Sequence, residues 1–359
     1  MLLEISLSLV IIIFSLNVKK IFKQAFYSVA GLPLVRHLGR PWRGRACVLC
    51  YHRVLPDDEF ESGNKPNSNL IMPTSRFAEQ MEFLSENFKV ISMDDLTGHH
   101  GSSSFSDSNE FVVVVTFDDG YKDNLTYALP VLEQYNIPAV IYITTRFLEG
   151  DAWMWWYELW DYIEETDLLE VNFFEISKKW NTEFQNQKIS CFNELKDLFL
   201  KYEYEKQKEV MQKITSFEDR KQYLQLCLNW EEVKILDRHP LITIGSHSHS
   251  HPNLKILTEE KAFSEMYMSK SLLEERLEHS VHHFAYPYGT VNEANIREFE
   301  LASCCGYRSA VTTQTETIWS PTLLAIPRLG VPSYLTVQGL KGKLSGWEHL
   351  TRKLIFRGT

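Results

Sequence analysis

The stretch Phe111-Val112-Val113-Val114-Val115-Thr116-Phe117-Asp118-Asp119-Gly120 joins a run of β-prone residues to two adjacent carboxylates and a glycine. The apolar run predicts a buried strand, and Gly120 predicts the turn that ends it. Because adjacent strand residues point to opposite faces, Asp118 and Asp119 can serve different purposes. Two carboxylates in a semi-buried place raise each other's free energy unless a cation or a shared proton relieves them. The pair therefore predicts a cationic partner, and a metal ion is the first candidate.

Two histidines four residues apart, His247 and His251, follow a second apolar run at 241–245. If the segment begins a helical turn, both rings lie on one face. Imidazole and carboxylate ligands suit zinc or a similar divalent ion, and three protein ligands leave a position for water. A solvated histidine-rich loop is the alternative. Since carboxylates and imidazoles both stand at strand ends, the sequence predicts a metal site.

A third apolar stretch ends in the sequence Tyr-Pro-Tyr-Gly at residues 286–289. Proline and glycine fix a tight turn whose backbone N–H groups could face a ligand. Taken alone, the segment is more typical of an aromatic turn that packs on the core.

Together, these segments resemble the polysaccharide deacetylase family, the NodB-homology group of carbohydrate esterases. The matching segments, in chain order, are 50–54, 116–120, 121–124, 247–251 and 287–289. Residues 116–120 match the first family motif, 247–251 match its His-Ser/Thr-x-x-His motif, and 287–289 match the third motif in part. The other two segments are similar to the branch that acts in exopolysaccharide synthesis. Order and spacing fit from about residue 45 to 335.

The resemblance implies a metal site and a general base. The metal ligands would be Asp119, His247 and His251, and the cofactor would be a divalent ion, with zinc the expected one. Asp118 would be the general base that takes a proton from water. A divalent ion lowers the pKa of bound water from 15.7 to about 7, so a nearby carboxylate can accept that proton at neutral pH.

The resemblance also implies contacts with an acetylated oligo- or polysaccharide. Tyr121, Pro287 and Tyr288 would bind the substrate. The Tyr288 backbone N–H would help to hold the oxyanion, and losing one such donor typically costs on the order of 3 kcal/mol of barrier.

Two departures from the family pattern concern the residues that support the base and supply the acid. The third motif usually begins with an arginine that orients the base, whereas Ala285 stands there. We hypothesise that Arg328 takes over, because the last strand of a closed barrel neighbours the first ones; a surface arginine is the alternative. The family's Leu-x-His motif, which supplies the acid for the leaving amine, has no convincing copy near the end of the barrel, where residues 324–329 read Leu-Ala-Ile-Pro-Arg-Leu. His52, which ends the apolar run 46–51, is the candidate acid, since histidine titrates near neutral pH; a histidine satisfied by backbone bonds is the alternative.

The predicted function is a metal-dependent de-N-acetylase acting on a polysaccharide or a lipid-linked glycan. An O-acetyl esterase with the same site and a glycan-binding pseudoenzyme are the alternatives. Retention of Asp118 favours catalysis, since a site that only holds a metal needs only Asp119. A net charge of −10, from 37 basic and 47 acidic residues, argues against a nucleic-acid partner.

Strand-like runs alternate with helical stretches, which predicts a parallel sheet. Catalytic residues at several strand ends predict an α/β fold of the TIM-like (β/α) barrel type, with a distorted, seven-stranded NodB form as one option. The barrel is expected at 45–340, with core motifs at 110–335, a helical insertion at about 157–235 and a tail at 341–359. The tryptophan-rich run 153–160 is open to two interpretations, core packing and a wall of the substrate groove.

Residues 1–40 are predicted to associate with a membrane. Leu2 to Leu16 is mostly apolar but short for a span of about 20 residues, and residues 21–38 mix basic and apolar side chains like an interfacial helix. Lys19, Lys20 and Lys23 favour a cytoplasmic catalytic domain. The six cysteines do not resemble a disulfide framework and indicate a reducing compartment. A secreted or outward-facing domain is the alternative.

Overall fold

A barrel of parallel strands forms the larger of two compact units, Arg45–Ser333. The computed structural model describes residues 21–61, 67–98, 110–150, 153–173, 176–215, 221–316, 318–319 and 322–350. The strands are β1 (Ala46–Tyr51), β2 (Arg53–Leu55), β3 (Ile71–Pro73), β4 (Lys89–Val90), β5 (Val112–Phe117), β6 (Ala139–Ile143), β7 (Leu168–Phe173), β8 (Ile176–Asn181), β9 (Ile242–Ser246), β10 (His283–Ala285), β11 (Ser309–Val311) and β12 (Arg328–Gly330).

Helices cover the barrel and form most of the remaining structure. They are α1 (21–30), α2 (Pro33–Gly39), α3 (Asp57–Glu61), α4 (Thr74–Asn87), α5 (Met93–Thr97), α6 (Leu129–Gln134), α7 (Thr145–Leu148), α8 (Trp155–Glu164), α9 (Gln185–Phe199), α10 (Tyr204–Thr215), α11 (Trp230–Asp237), α12 (Glu259–Leu277), α13 (Ile296–Cys304) and α14 (Val337–Lys343).

The barrel is a nearly closed ring of seven strands. Their order is β11-β10-β9-β6-β5-β1-β12, every neighbouring pair is parallel, and β4 also pairs with β5. A bridge from Val311 to Ile326 links β11 to the residues just before β12. The predicted TIM-like (β/α) barrel, in its seven-stranded form, is confirmed.

The register of β5 decides where the first carboxylate points. All six residues of β5 are buried, and Val112 and Val114 pack in one cluster with side chains of β1, β6 and α5. Side chains alternate along a strand, so Thr116 and then Asp118 continue the same face. The Asp118 N–H still donates to Tyr51 O at 3.1 Å, which extends the pairing past the end of β5. Asp118 therefore stands at the carboxyl end of the barrel on that inner face.

The sequence predicts a helical insertion at about residues 157–235, but this segment is not purely helical. It contains α8 to α11, but β7 and β8 form an antiparallel hairpin within it. Leu169 and Val171 are buried and Glu170 is exposed, which is the alternation of a half-buried strand. The hairpin is the correction to the predicted helical insertion.

The smaller unit combines Met1–Gly44 with Tyr334–Thr359. Gly342 lies so close to Tyr27 that a Cβ there would be 1.9 Å from the Tyr27 carbonyl oxygen, and the Trp347 indole donates to Val35 O at 2.7 Å. The chain from Tyr334 onward thus groups with the N-terminal part. This differs from the expectation of a barrel that extends to residue 340 and a separate tail after it. Among the described helices, none has the length and apolarity to cross a bilayer. The apolar stretch Leu2 to Leu16 lies outside the described residues.

Candidate active site

One cavity opens at the carboxyl ends of the barrel strands. Its empty space is about 750 Å³, including its open mouth. Its wall consists of His52, Arg53, Asn67, Leu70, Ile71, Asp118, Asp119, Tyr121, Trp155, Trp156, Tyr157, Lys196, His247, His251, Tyr288 and Thr313. Of the predicted site residues, Pro287 and Arg328 are buried but do not line this wall.

Asp119, His247 and His251 converge on one point of the cavity. Asp119 Oδ1 lies 3.4 Å from His247 Nε2 and 3.3 Å from His251 Nε2. Two ligands of a tetrahedral zinc ion, with bonds of about 2.1 Å, are about 3.4 Å apart, so this spacing fits a shared metal ion. The His247 Nδ1 lies 2.7 Å from Ala285 O, and donating to it leaves Nε2 free to bind a metal. One carboxylate and two imidazoles suit zinc or a similar divalent ion.

The backbone of the site adopts left-handed conformations that residues other than glycine rarely take. The φ angles of Asp119, Ser248, His251 and Tyr288 are 76°, 65°, 60° and 60°. Each such residue costs on the order of 1–3 kcal/mol, and they cluster at functional sites.

The expectation that His247 and His251 share one face of a helical turn is wrong. Residues 247–251 form an irregular loop. In this loop, the His251 N–H donates to Ser248 Oγ at 3.1 Å. The left-handed residues Ser248 and His251 reverse the chain locally, and this reversal, instead of helical periodicity, brings the two rings together.

Asp118 is held by Arg328 in a two-pronged ion pair. Arg328 Nη1 and Nη2 lie 2.6 Å from Asp118 Oδ1 and Oδ2. The same guanidinium donates to Thr116 Oγ1 at 3.2 Å and to Thr312 O at 3.0 Å, and Arg328 is 0% exposed. Burial raises the pKa of Asp118, but the Arg328 charge and the neighbouring histidines outweigh burial and lower it to about 2. Asp118 is therefore ionised at any ordinary working pH.

His52 follows β1 and lies beside Asp118 in the cavity wall. Ligand atoms of Cys50, His52 and Asp118 all lie within 4.8 Å of one another, and Cys50 Sγ donates to Asp118 Oδ2 at 3.5 Å. Burial lowers the pKa of His52 in spite of the nearby carboxylates. The ring is thus mostly neutral at pH 7 and can accept a proton before it donates one.

The turn after β10 sets Tyr288 against the metal ligands. The ring centroids of Tyr288 and His251 are 4.8 Å apart, and Tyr288 O accepts from Thr313 Oγ1 at 2.6 Å. The Tyr288 N–H donates to no other residue that the structure describes, so it is available to a ligand. Pro287 is buried, and its carbonyl accepts from the Gly289 N–H at 2.6 Å. Pro287 therefore shapes the turn.

The inserted segment supplies one wall of the cavity. Trp155, Trp156 and Tyr157 line it and also belong to the aromatic core of the insertion, so both interpretations of the run 153–160 apply. Lys196 on α9 lines the cavity as well, and sequence reasoning missed it because no motif marks it. Arg53 lies inside the matched segment 50–54, but the sequence predicts no role in the site for it.

Comparison with known proteins places this geometry in a family. The sequence model of the polysaccharide deacetylase family matches residues 106–309. The Bacillus subtilis protein YxkH, by name a candidate polysaccharide deacetylase, is 23% identical over 270 residues, which is 74% of this chain and 64% of YxkH. This chain thus spans slightly less than two thirds of that relative.

Solved structures show the same fold. The Streptococcus pyogenes deacetylase PplD in complex with acetate matches with a TM-score of 0.53 at 17% identity, over 83% of this chain and 97% of PplD. IcaB from Ammonifex degensii matches with a TM-score of 0.53 at 18% identity, over 84% and 97%.

The family match covers more than half of the 359 residues and includes both carboxylates and both histidines of the cavity. The barrel is the fold that these solved structures share. The chain therefore belongs to the polysaccharide deacetylase family.

Proposed function

We propose that this deacetylase removes acetyl groups from N-acetylated sugars of a polysaccharide or a lipid-linked glycan, and that it uses a divalent metal ion, with zinc expected. The observation that carries the proposal is the division of the two adjacent carboxylates. Asp118 pairs with a buried arginine, whereas Asp119 meets two histidines at distances suited to a metal. This separates a base from a ligand, as hydrolysis requires.

In the proposed mechanism, the two carboxylates keep separate tasks. Asp119, His247 and His251 would hold the ion, which would supply a Lewis acid for the water and the acetyl carbonyl. Asp118, kept ionised and oriented by Arg328, accepts a proton from the attacking water.

Three further groups serve the oxyanion, the leaving amine and the sugar. The Tyr288 N–H donates to the developing oxyanion. His52 takes the proton from Asp118 and delivers it to the nitrogen as the C–N bond breaks, so that acetate and a free amine leave. Tyr121, which lines the cavity, contacts the sugar.

Removing the metal should stop the reaction. Dialysis against a chelator is expected to reduce acetate release from N-acetylated oligosaccharides to background, and added zinc to restore it, because the protein ligands alone supply no Lewis acid. The measurement is enzymatic detection of acetate, with zinc-saturated chelator as the control. Release that resists the chelator would contradict the metal mechanism. Release from O-acetyl esters alone would make the enzyme an esterase, and no release from any acetylated glycan would favour a binding protein.

We also propose that the smaller unit binds an anionic membrane surface and keeps the catalytic barrel on the cytoplasmic side. Supporting this, α1, α2 and the turn between them expose large apolar side chains, namely Ile21, Phe22, Phe26, Val29, Leu32, Leu34 and Leu38. Exposed basic side chains stand among them: Lys23, His37 and Arg40. Apolar and basic residues together are typical of helices that lie in the interface of anionic bilayers.

Vesicle binding tests the membrane proposal. The protein should sediment with vesicles that contain phosphatidylserine and much less with phosphatidylcholine alone, and Leu34→Asp should reduce sedimentation several-fold by placing a charge at the interface. Ile296→Asp is the matched control, since Ile296 is 68% exposed on α13 and Leu34 is 73% exposed on α2. Equal losses for the two variants, or no binding to either vesicle, would contradict the proposal.

A further inference from the structure

Two basic side chains in the cavity wall have no task in the proposed mechanism. They are Arg53 on β2 and Lys196 on α9. The carboxylates of the same cavity are already matched, because Asp118 pairs with Arg328 and Asp119 belongs to the ligand set. Arg53 is paired with Asp123, whereas no described carboxylate pairs with Lys196. The cavity therefore offers the positive charge of Lys196 and N–H donors of both side chains, in a chain whose net charge is −10.

Arg53 is fixed in place with one nitrogen left over. Its Nε donates to Asp123 Oδ2 at 2.7 Å and its Nη1 to Tyr157 Oη at 3.1 Å, while the guanidinium lies over the Tyr121 ring at 4.7 Å. Its Nη2 donates to no other described residue. The side chain is 8% exposed and lines the cavity, so Nη2 is a donor that a ligand in the cavity can use.

The ion pair with Asp123 does not use all the N–H donors of Arg53. It already accepts from the Val54 N–H at 3.0 Å and from Asn124 Nδ2 at 3.3 Å, in addition to Arg53 Nε. This pair explains why Arg53 is held rigidly. It leaves Nη2 without a described protein acceptor.

Lys196 reaches the same cavity from the insertion. It is half-buried, and its side chain forms no ion pair or hydrogen bond with the residues that the structure describes. Two acidic residues stand on its own helix: Glu194 is engaged by Lys178 and the Trp180 indole, and Asp197 is exposed and forms no ion pair with Lys196. The Lys196 charge is thus available to whatever enters the cavity.

We propose that Arg53 and Lys196 form a subsite for a negatively charged group of the glycan, a carboxylate or a phosphate, on or next to the N-acetylated sugar. An arginine fork and a lysine are the side chains that bind such oxyanions. The substrate class is then an acidic N-acetylated glycan. This inference rests on the proposed deacetylase function and specifies its substrate.

Equilibrium binding tests the subsite without turnover. Titration calorimetry with the zinc-loaded Asp118→Asn protein would use three N-acetylated oligosaccharides of equal length: a neutral one, one with a uronic acid beside the N-acetylated sugar, and one with a phosphodiester there. The acidic ligands should bind roughly tenfold tighter than the neutral one, and Lys196→Ala should remove most of that difference and its salt dependence.

Two further variants make the test specific. Lys234→Ala, which removes a half-buried lysine outside the cavity, should change nothing. Arg53→Lys keeps the charge but loses Nη2, so it should weaken the binding of the acidic ligands alone. A thermal melt verifies that Arg53→Lys folds. If it does not fold, Lys196→Ala decides the question.

The outcomes separate the subsite from the proposed function. The tighter of the two acidic ligands identifies the carboxylate or the phosphate, and equal affinity indicates a general oxyanion site. The subsite proposal would be overturned if the neutral ligand bound as tightly as the acidic ones. It would also be overturned if Lys196→Ala weakened the binding of all three ligands equally. Absence of acetate release by the unmodified protein would refute the deacetylase proposal, while a preference for acidic ligands would still stand.

Discussion

Replacing Asp118 by asparagine is expected to lower turnover on an N-acetylated oligosaccharide by about 10²–10⁴-fold, which is the usual contribution of a positioned general base. Asparagine has nearly the same shape but cannot accept the water proton. The metal ligands are untouched, so zinc content should stay at that of the unmodified protein. The measurement pairs steady-state acetate release with metal analysis of the same sample.

The control for this prediction must separate lost chemistry from lost folding. Asp118→Asn leaves Arg328 with a neutral partner, so activity is normalised to the folded fraction from a thermal melt. Asp197→Asn is a matched change on the exposed face of α9 and should leave turnover unchanged. If Asp118→Asn kept more than a tenth of turnover, another group would have to accept the proton, and His52 would be the first to examine.

The sequence predicted the structural features that depend on neighbouring residues and on the order of strands and helices. The apolar run before Asp118 became β5 almost residue for residue. Alternating strands and helices implied parallel strands, whose carboxyl ends share one side of the barrel, and this is why motifs far apart in the chain meet. The contact of Arg328 with Asp118 followed from topology too, since β12 lies beside β1. What Arg328 does for catalysis stays a prediction.

Long-range packing decided what the sequence did not reveal. The loop between His247 and His251 takes left-handed conformations that are maintained by its surroundings, whereas the spacing suggested a helical turn. Lys196 enters the cavity only because the insertion folds over it. The alternation in β7 was present, but charged residues around it resembled a solvated helix.

The second large effect concerns stability and involves Arg328. Arg328→Met is expected to destabilise the protein by about 3–5 kcal/mol at pH 7, because it leaves Asp118 as an uncompensated buried charge. Turnover should fall as well, since Asp118 loses its orientation. The double variant Arg328→Met/Asp118→Asn should be more stable than Arg328→Met, which denaturant unfolding can measure as a double-mutant cycle. Lys213→Met, at an exposed ion pair with Glu209, is the control and should change stability by less than about 1 kcal/mol.

The pH dependence gives this prediction a definite sign. In the unmodified protein the pKa of Asp118 is about 2, below the ordinary 3.8, so its contribution is complete above about pH 4 and is lost as pH falls toward 2. Without Arg328, burial should raise this pKa above 3.8, and the group then favours folding only when protonated. The stability gap between the two proteins should therefore shrink as pH falls from 7 to 4. A gap that stayed constant or widened would mean that Arg328 stabilises the barrel by packing and its bonds to Thr116 and Thr312, and that its charge does not govern Asp118.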